Sequence, residues 1–205
     1  GRTGDEHVVK NAKFKRKNRD HTMYTQMNKR HNIFTFSCFT HEQVKEINKK
    51  IKENISQEEK KDGEMPSTIK TGKFFPLPCA PLLQLLHPWL YECQIINKKV
   101  FGYDIYWDFH LEGFNYNVYG MGGEYGWHID GSREKIFDAK LTCLLNLSEE
   151  PYGGGEFYSI NSNEEIEFTS GMGIVFNSLI AHKVTPVTKG ERITLTYWGT
   201  GPGWR

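Results

Sequence analysis

The chain has 205 residues, long enough for one domain with a sizeable core. Its net charge of +1 excludes a molecule built as a whole to coat nucleic acid. No apolar run approaches the ~20 residues of a membrane span, and no basic start followed by an apolar stretch reads as a signal peptide.

In chain order, residues 1–31 come first as a basic arm, with nine Lys and Arg against three acids. Such a segment is expected to be solvated and poorly ordered. "FTHEQVKEINKKIKENI" predicts a helix: Thr40 and Gln43 form a capping box, and Val44, Ile47, Ile51 and Ile55 make one apolar stripe. A charged loop comes next, then a second helix, "APLLQLLHPWLYECQII", which Pro88 should kink or break. Residues 32–96 thus read as a helical support region of the same domain.

From Asn97 the period changes to short alternating segments separated by turn residues. Strands are expected at Tyr103–Leu111, Asn115–Tyr119, Tyr125–Asp130, Lys140–Leu147, Glu156–Ile160, Glu164–Phe168, Gly173–Phe176, His182–Pro186 and Arg192–Trp198. So many short strands over residues 97–205 predict a sandwich or jelly roll with the helices over one outer face, a mostly β, α+β fold in one domain. Cys38, Cys79, Cys93 and Cys143 lie in apolar segments without C-x-x-C spacing. They read as reduced core thiols, which suits a cytoplasmic protein.

In "YGWHIDGS", His128 and Asp130 share one face of a strand, about 7 Å apart. His182, at the head of a later strand, can complete a two-histidine, one-carboxylate set. This facial arrangement leaves metal positions open and points to non-haem Fe(II); zinc is the main competitor. Beyond it, Arg192, Thr194, Thr196 and Trp198 share one face of the last strand. No acidic residue on that strand can pair with Arg192, whereas a dicarboxylate ligand could, with Thr194 and Tyr119 adding hydroxyls. Trp127, on the opposite face from His128, is expected in the core. Gly153–Gly155 lacks the Lys and Ser/Thr of a phosphate loop and reads as a tight turn.

"YGMGGEYGWHID", "GGGEF" and "IVFNSLIAHKVTPVTKGERITLTYW" together resemble the iron(II)- and 2-oxoglutarate-dependent dioxygenases, and within them the prolyl-4-hydroxylase-like branch. The resemblance covers roughly Trp107 to Trp204. It implies a double-stranded β-helix, with His128, Asp130 and His182 as metal ligands and catalytic centre. It further implies that Arg192 binds the distal carboxylate of 2-oxoglutarate, helped by Tyr119, Thr194 and Asn146, with Leu144, Val184 and Trp198 lining the pocket. The implied cofactors are Fe(II), 2-oxoglutarate and O2, with ascorbate in support. The implied reaction is hydroxylation of an amino-acid side chain, foremost a prolyl residue in a peptide or protein, or free proline, with release of succinate and CO2.

Two alternatives remain open on the sequence. A metal-binding jelly roll without catalysis would not need Arg192 to face the pocket. A nucleic-acid demethylase of the same superfamily would carry a second arginine where Trp198 stands, so nucleic acid is not the expected partner. Substrate choice is expected in loops, with Asp62–Phe75 and Gly131–Ala139 as candidate lids.

Overall fold

The computed structural model describes the backbone of residues 26–28 and the whole of 32–55 and 70–205. Apart from Gln26–Asn28, the basic arm lies outside the described residues, as does the 62–69 part of one candidate lid. The strands in chain order are β1 (Gln26–Asn28), β2 (Ile33–Ser37), β3 (Lys70–Thr71), β4 (Lys73–Pro78), β5 (Gly113–Tyr119), β6 (Glu124–His128), β7 (Phe137–Asn146), β8 (Gly153–Gly154), β9 (Phe157–Ser159), β10 (Met172–Asn177), β11 (His182–Val184), β12 (Val187–Lys189) and β13 (Arg192–Pro202). The helices are α1 (His41–Asn54) and α2 (Leu83–Ile96).

An antiparallel major sheet has the order β1-β2-β10-β7-β13-β5-β4, and a minor sheet the order β3-β6-β11-β9; β8 and β12 form a two-stranded ribbon. This is the expected mostly β fold, a double-stranded β-helix backed by two helices. Alternation along β7 divides the interior into two layers. Leu141, Cys143 and Leu145 join the buried cluster that holds Val44, Ile47 and Ile51 of α1 and Leu86, Trp89 and Cys93 of α2. Leu144 points the other way, into a second cluster with Phe157, Phe176 and Val184 between the sheets. The helices therefore support the outer face of the major sheet and leave its inner face to the pocket.

The capping box forms: the Thr40 amide donates to Gln43 Oε1 (2.9 Å) and the Gln43 amide to Thr40 Oγ1 (3.3 Å). Asn48 ties α1 to the sheet, donating to the Leu147 carbonyl at 2.8 Å and accepting from the Tyr116 hydroxyl at 3.0 Å. All four cysteines are buried, and Cys79, Cys93 and Cys143 are free thiols.

Several expectations are corrected. The 32–96 region supplies strands as well as helices: β2 and β4 enter the major sheet, and β3 the minor one. Pro88 does not break α2. The bond its missing amide would have made is lost, but Leu86, Trp89, Leu90, Cys93 and Ile96 bury the helix on both sides of it. Tyr103–Leu111 is not a strand. Its alternating aromatics cover the core, with Trp107 stacked on Tyr197 at 5.9 Å, and Asp108 Oδ1 closes a turn by accepting from the His110 and Leu111 amides. Glu164–Phe168 makes only an isolated bridge, Phe157 to Ile166. Trp127 is 46% exposed rather than core, with the Lys183 ammonium 5.0 Å from its ring. None of the described helices is long and apolar enough to cross a membrane.

Candidate metal and co-substrate site

β6 ends at His128, which stands opposite His182 at the start of β11. Asp130 comes two residues later, where the Asp130 and Gly131 amides both donate to the Ser178 carbonyl. A Cβ on Gly131 would lie 2.8 Å from Ser178 Oγ and 2.9 Å from Leu179 Cδ2, so glycine is what lets this turn close behind the aspartate. The ligand atoms of His128, Asp130 and His182 lie within 4.8 Å of one another, and no other residues of this kind are so grouped among the described residues.

The histidines are oriented from behind. His128 Nδ1 lies 2.7 Å from the Gly126 carbonyl and His182 Nδ1 2.8 Å from that of Ile180. A carbonyl only accepts, so both Nδ1 atoms carry the proton and both Nε2 atoms present lone pairs. These face Asp130, with His128 Nε2 3.5 Å from Oδ1 and His182 Nε2 3.4 Å from Oδ2. Burial, followed by the neighbouring His182, pushes His128 down to about 4, so it is neutral at pH 7 and the contact is not an ion pair. Converging lone pairs around a carboxylate repel unless a cation sits among them. The donor set fits a divalent metal with open positions.

Thr142 on β7 donates its hydroxyl to Asp130 Oδ2 at 2.8 Å, which fixes the carboxylate rotamer. Thr142→Val keeps the shape and removes this donor. Metal affinity is expected to fall roughly 10–100-fold, as for loss of other outer-shell partners, measurable by competition with a chelator. Unchanged affinity would show that the hydroxyl does not orient Asp130.

β13 carries the second part of the site. Arg192, 2% exposed, pairs with Tyr119 of β5, and its guanidinium lies 5.5 Å from the Tyr119 ring and 5.6 Å from that of Phe168. Arg192 Nε is buried without a hydrogen-bond partner, and among the described residues Arg192 forms no ion pair. A buried charge in this state costs several kcal/mol, so the geometry calls for an anion. The glycine turn is fitted to it: Gly154 and Gly155 adopt φ of +65° and +60°, and a Cβ on Gly155 would lie 2.9 Å from Arg192 Cδ. Burial pushes the Tyr119 phenol up, although the Arg192 charge opposes this. Tyr119 therefore stays protonated and can donate.

The structure brings His128, Asp130, His182, Tyr119, Leu144, Val184, Arg192, Thr194 and Trp198 to one cavity of about 40 Å³. It does not bring Asn146 there. That residue is fully buried, its amide donates to Tyr152 Oη (3.1 Å) and the Phe168 carbonyl (2.7 Å), and its Oδ1 accepts from the Ser148 amide. Thr194 and Thr196 are joined through Asn117, whose Nδ2 donates to both hydroxyl oxygens at 3.2 and 3.1 Å. A larger recess of about 900 Å³, rimmed by glutamates, contains none of these residues.

Four contributors were not singled out from the sequence. Thr142 and Asn117 looked like ordinary strand residues, although their facing was legible. Tyr125 stacks on His128 with ring centroids 3.4 Å apart. Three residues' separation puts them on opposite faces of a regular strand, but β6 and β11 shift register between the two positions, and the irregularity brings them together. Lys70 reaches the cavity from β3, and nothing in its charged sequence context marks it. The other candidate lid, Gly131–Ala139, is stapled by Asp138 Oδ2, which accepts from the Ser132 and Arg133 amides, both at 2.9 Å.

An open two-histidine, one-carboxylate set thus lies beside a buried arginine inside a double-stranded β-helix, a donor set that suits non-haem iron. Comparison with known proteins agrees. Residues 114–200 match the 2OG-Fe(II) oxygenase superfamily. A PKHD-type hydroxylase from Janthinobacterium sp. (strain Marseille) is 37% identical over 92 residues, which are 40% of this chain and 41% of that protein. The chain thus spans less than half the length of this curated relative. Among solved structures, a Pseudomonas putida prolyl-4-hydroxylase superposes with a TM-score of 0.64 at 20% identity, over 84% of this chain and 94% of that one. The viral collagen prolyl hydroxylase of Paramecium Bursaria Chlorella virus-1, in its 2OG complex, gives 0.64 at 17% identity, over 83% and 96%. Residues 114–200 thus carry the match to the 2OG-Fe(II) oxygenase superfamily, and the two prolyl hydroxylase structures share the fold. That family implies Fe(II) and 2-oxoglutarate as cofactor and co-substrate.

Proposed function

We propose that this protein is an Fe(II)- and 2-oxoglutarate-dependent dioxygenase that hydroxylates an amino-acid side chain, foremost a prolyl residue in a peptide or protein. The observation that carries the reading is Arg192, a buried guanidinium with an unpaired Nε, in the cavity that also holds the His128–Asp130–His182 cluster. A metal-binding module without catalysis gives no reason for that cation. The hydroxylase names of the relative and of the two structural neighbours support the substrate class.

In this reading His128, Asp130 and His182 hold iron through the two Nε2 atoms and the carboxylate. Arg192 takes the distal carboxylate of 2-oxoglutarate in a two-bond fork, with the Tyr119 and Thr194 hydroxyls as further donors. Leu144, Val184 and Trp198 form a largely apolar wall that keeps water from the reacting atoms. Bound iron, with 2-oxoglutarate and O2, supplies C–H hydroxylation coupled to release of succinate and CO2. Ascorbate would serve only to keep the iron reduced.

Succinate release from 2-oxoglutarate, under air with Fe(II) and ascorbate, tests the reading. Proline-containing peptides and free amino acids are added separately. Metal-dependent succinate that a proline peptide accelerates is the expected result. Acceleration by a free amino acid alone would move the substrate from peptide to amino acid. Absence of both turnover and 2-oxoglutarate binding by the folded, metal-loaded protein would overturn the enzyme reading.

A further inference from the structure

Asn117 sets the direction of the hydrogen bonds inside the cavity. It lies on β5 opposite Thr194 of β13 and is 3% exposed. Its two amide atoms are told apart by their neighbours. Nδ2 lies 3.4 Å from the Asn115 carbonyl, which only accepts, and Oδ1 lies 3.4 Å from the Lys70 ammonium, which only donates. The nitrogen is therefore the atom that meets Thr194 Oγ1 at 3.2 Å and Thr196 Oγ1 at 3.1 Å, and both hydroxyl oxygens accept.

A hydroxyl carries a single hydrogen. Because each oxygen accepts from Asn117, neither hydrogen points back along that bond. Among the described residues neither hydroxyl donates to a protein acceptor, although both threonines are buried. Both also line the cavity. Their hydrogens are left to whatever fills it.

Position says what that ligand is. β13 carries Arg192, Thr194, Thr196 and Trp198 on one face, and Trp198 pairs with Thr142, whose hydroxyl holds Asp130. The two threonines thus stand between the buried guanidinium and the metal cluster. A ligand that reaches from one to the other passes a row of donors. A dicarboxylate, with an acceptor-only group at each end, satisfies them.

We propose that Asn117 is a positioning residue for the co-substrate: by donating to Thr194 and Thr196 it turns both hydroxyl hydrogens toward the carboxylates of 2-oxoglutarate. This rests on the function proposed above and adds Asn117 and Thr196 to that site. Asn117 acts through the threonines and need not touch the ligand itself.

The test is calorimetric titration of 2-oxoglutarate into the full chain loaded with Mn(II), without O2. The variants are Asn117→Ala, Asn117→Asp, the pair Thr194→Val/Thr196→Val, and that pair combined with Asn117→Ala. All should take up Mn(II) as wild type does. Affinity is expected to fall about tenfold in Asn117→Ala, since hydrogen bonds to a charged group are no longer aimed. Asn117→Asp keeps the shape but accepts where asparagine donates, so both hydroxyls turn back to it and the loss should be larger. The threonine pair should weaken binding at least about tenfold, and adding Asn117→Ala to it should change affinity by less than about twofold, because groups that act through one another are not additive. A packing role would give Asn117→Ala the same loss in both backgrounds, and that result overturns the proposal. So does wild-type affinity in the threonine pair. Where Asn117→Ala does not fold, Asn117→Asp decides, and binding as tight as wild type overturns the assignment. If wild type itself takes up Mn(II) but no 2-oxoglutarate, the reading of the whole site falls, and this assignment with it.

Discussion

Arg192→Leu is expected to move binding and stability in opposite directions. The arginine is 2% exposed, with its Nε unpaired. Replacing a buried, poorly compensated charge with an apolar side chain of comparable bulk is neutral or stabilising, by about 1–4 kcal/mol in favourable cases. The ligand-free variant should therefore unfold at the same or a higher temperature than wild type. Its affinity for 2-oxoglutarate should collapse, because the charge-assisted fork is lost. Arg192→Lys keeps the charge without the planar fork and should weaken binding roughly 10–100-fold, corresponding to about 1.5–3 kcal/mol for a hydrogen bond to a charged group. Thermal unfolding without ligand and titration with 2-oxoglutarate give the two readouts. A large loss of stability with little loss of affinity would identify Arg192 as a structural residue and end its assignment to the co-substrate.

His128→Ala should abolish metal-dependent turnover. It removes one of three ligand atoms, a larger loss than the roughly 10–100-fold in affinity or activity typical of outer-shell changes. The domain should still fold, because the substitution also removes one lone pair from a crowded, uncompensated cluster. Mn(II) is expected to raise the unfolding temperature of wild type and to leave that of the variant unchanged, since a ligand stabilises only the state that binds it. A metal-dependent shift retained in His128→Ala would take His128 out of the ligand set.

Much of this site was legible because β-structure has a period of two. His128 and Asp130 share a face for that reason, and so do Arg192, Thr194, Thr196 and Trp198. The link between these groups came from resemblance, since no local rule places His182 opposite His128. The period misled wherever the backbone left regular pairing. Tyr125 was lost to the register shift between β6 and β11. Tyr103–Leu111 alternates like a strand, yet Asp108 closes it into a turn. Asn146 points inward as its parity requires, but Tyr152, Phe168 and Ser148 occupy its amide. Lys70 lay inside the candidate lid Asp62–Phe75 without being marked, because its place at the cavity depends on which sheet edge β3 joins. β2 and β4 were hidden differently: "IFTFS" and "KFFPLP" are short apolar runs beside helices, and their partners lie elsewhere in the chain.

The strand at the heart of the major sheet, β13, is the last of the described strands to be made. It lies between β7 and β5, and β2 pairs with β10 more than a hundred residues away. Until β13 is in place, β7 and β5 each lack the neighbour they share in the folded sheet. Closing long loops before native pairing compensates for them makes such topologies slow folders, on the millisecond-to-second scale. The interval before closure is when the unpaired edges of β7 and β5 are open to wrong partners. Arg192 opens the strand that ends this interval, so the proposed co-substrate anchor and the final seam of the sheet are one segment.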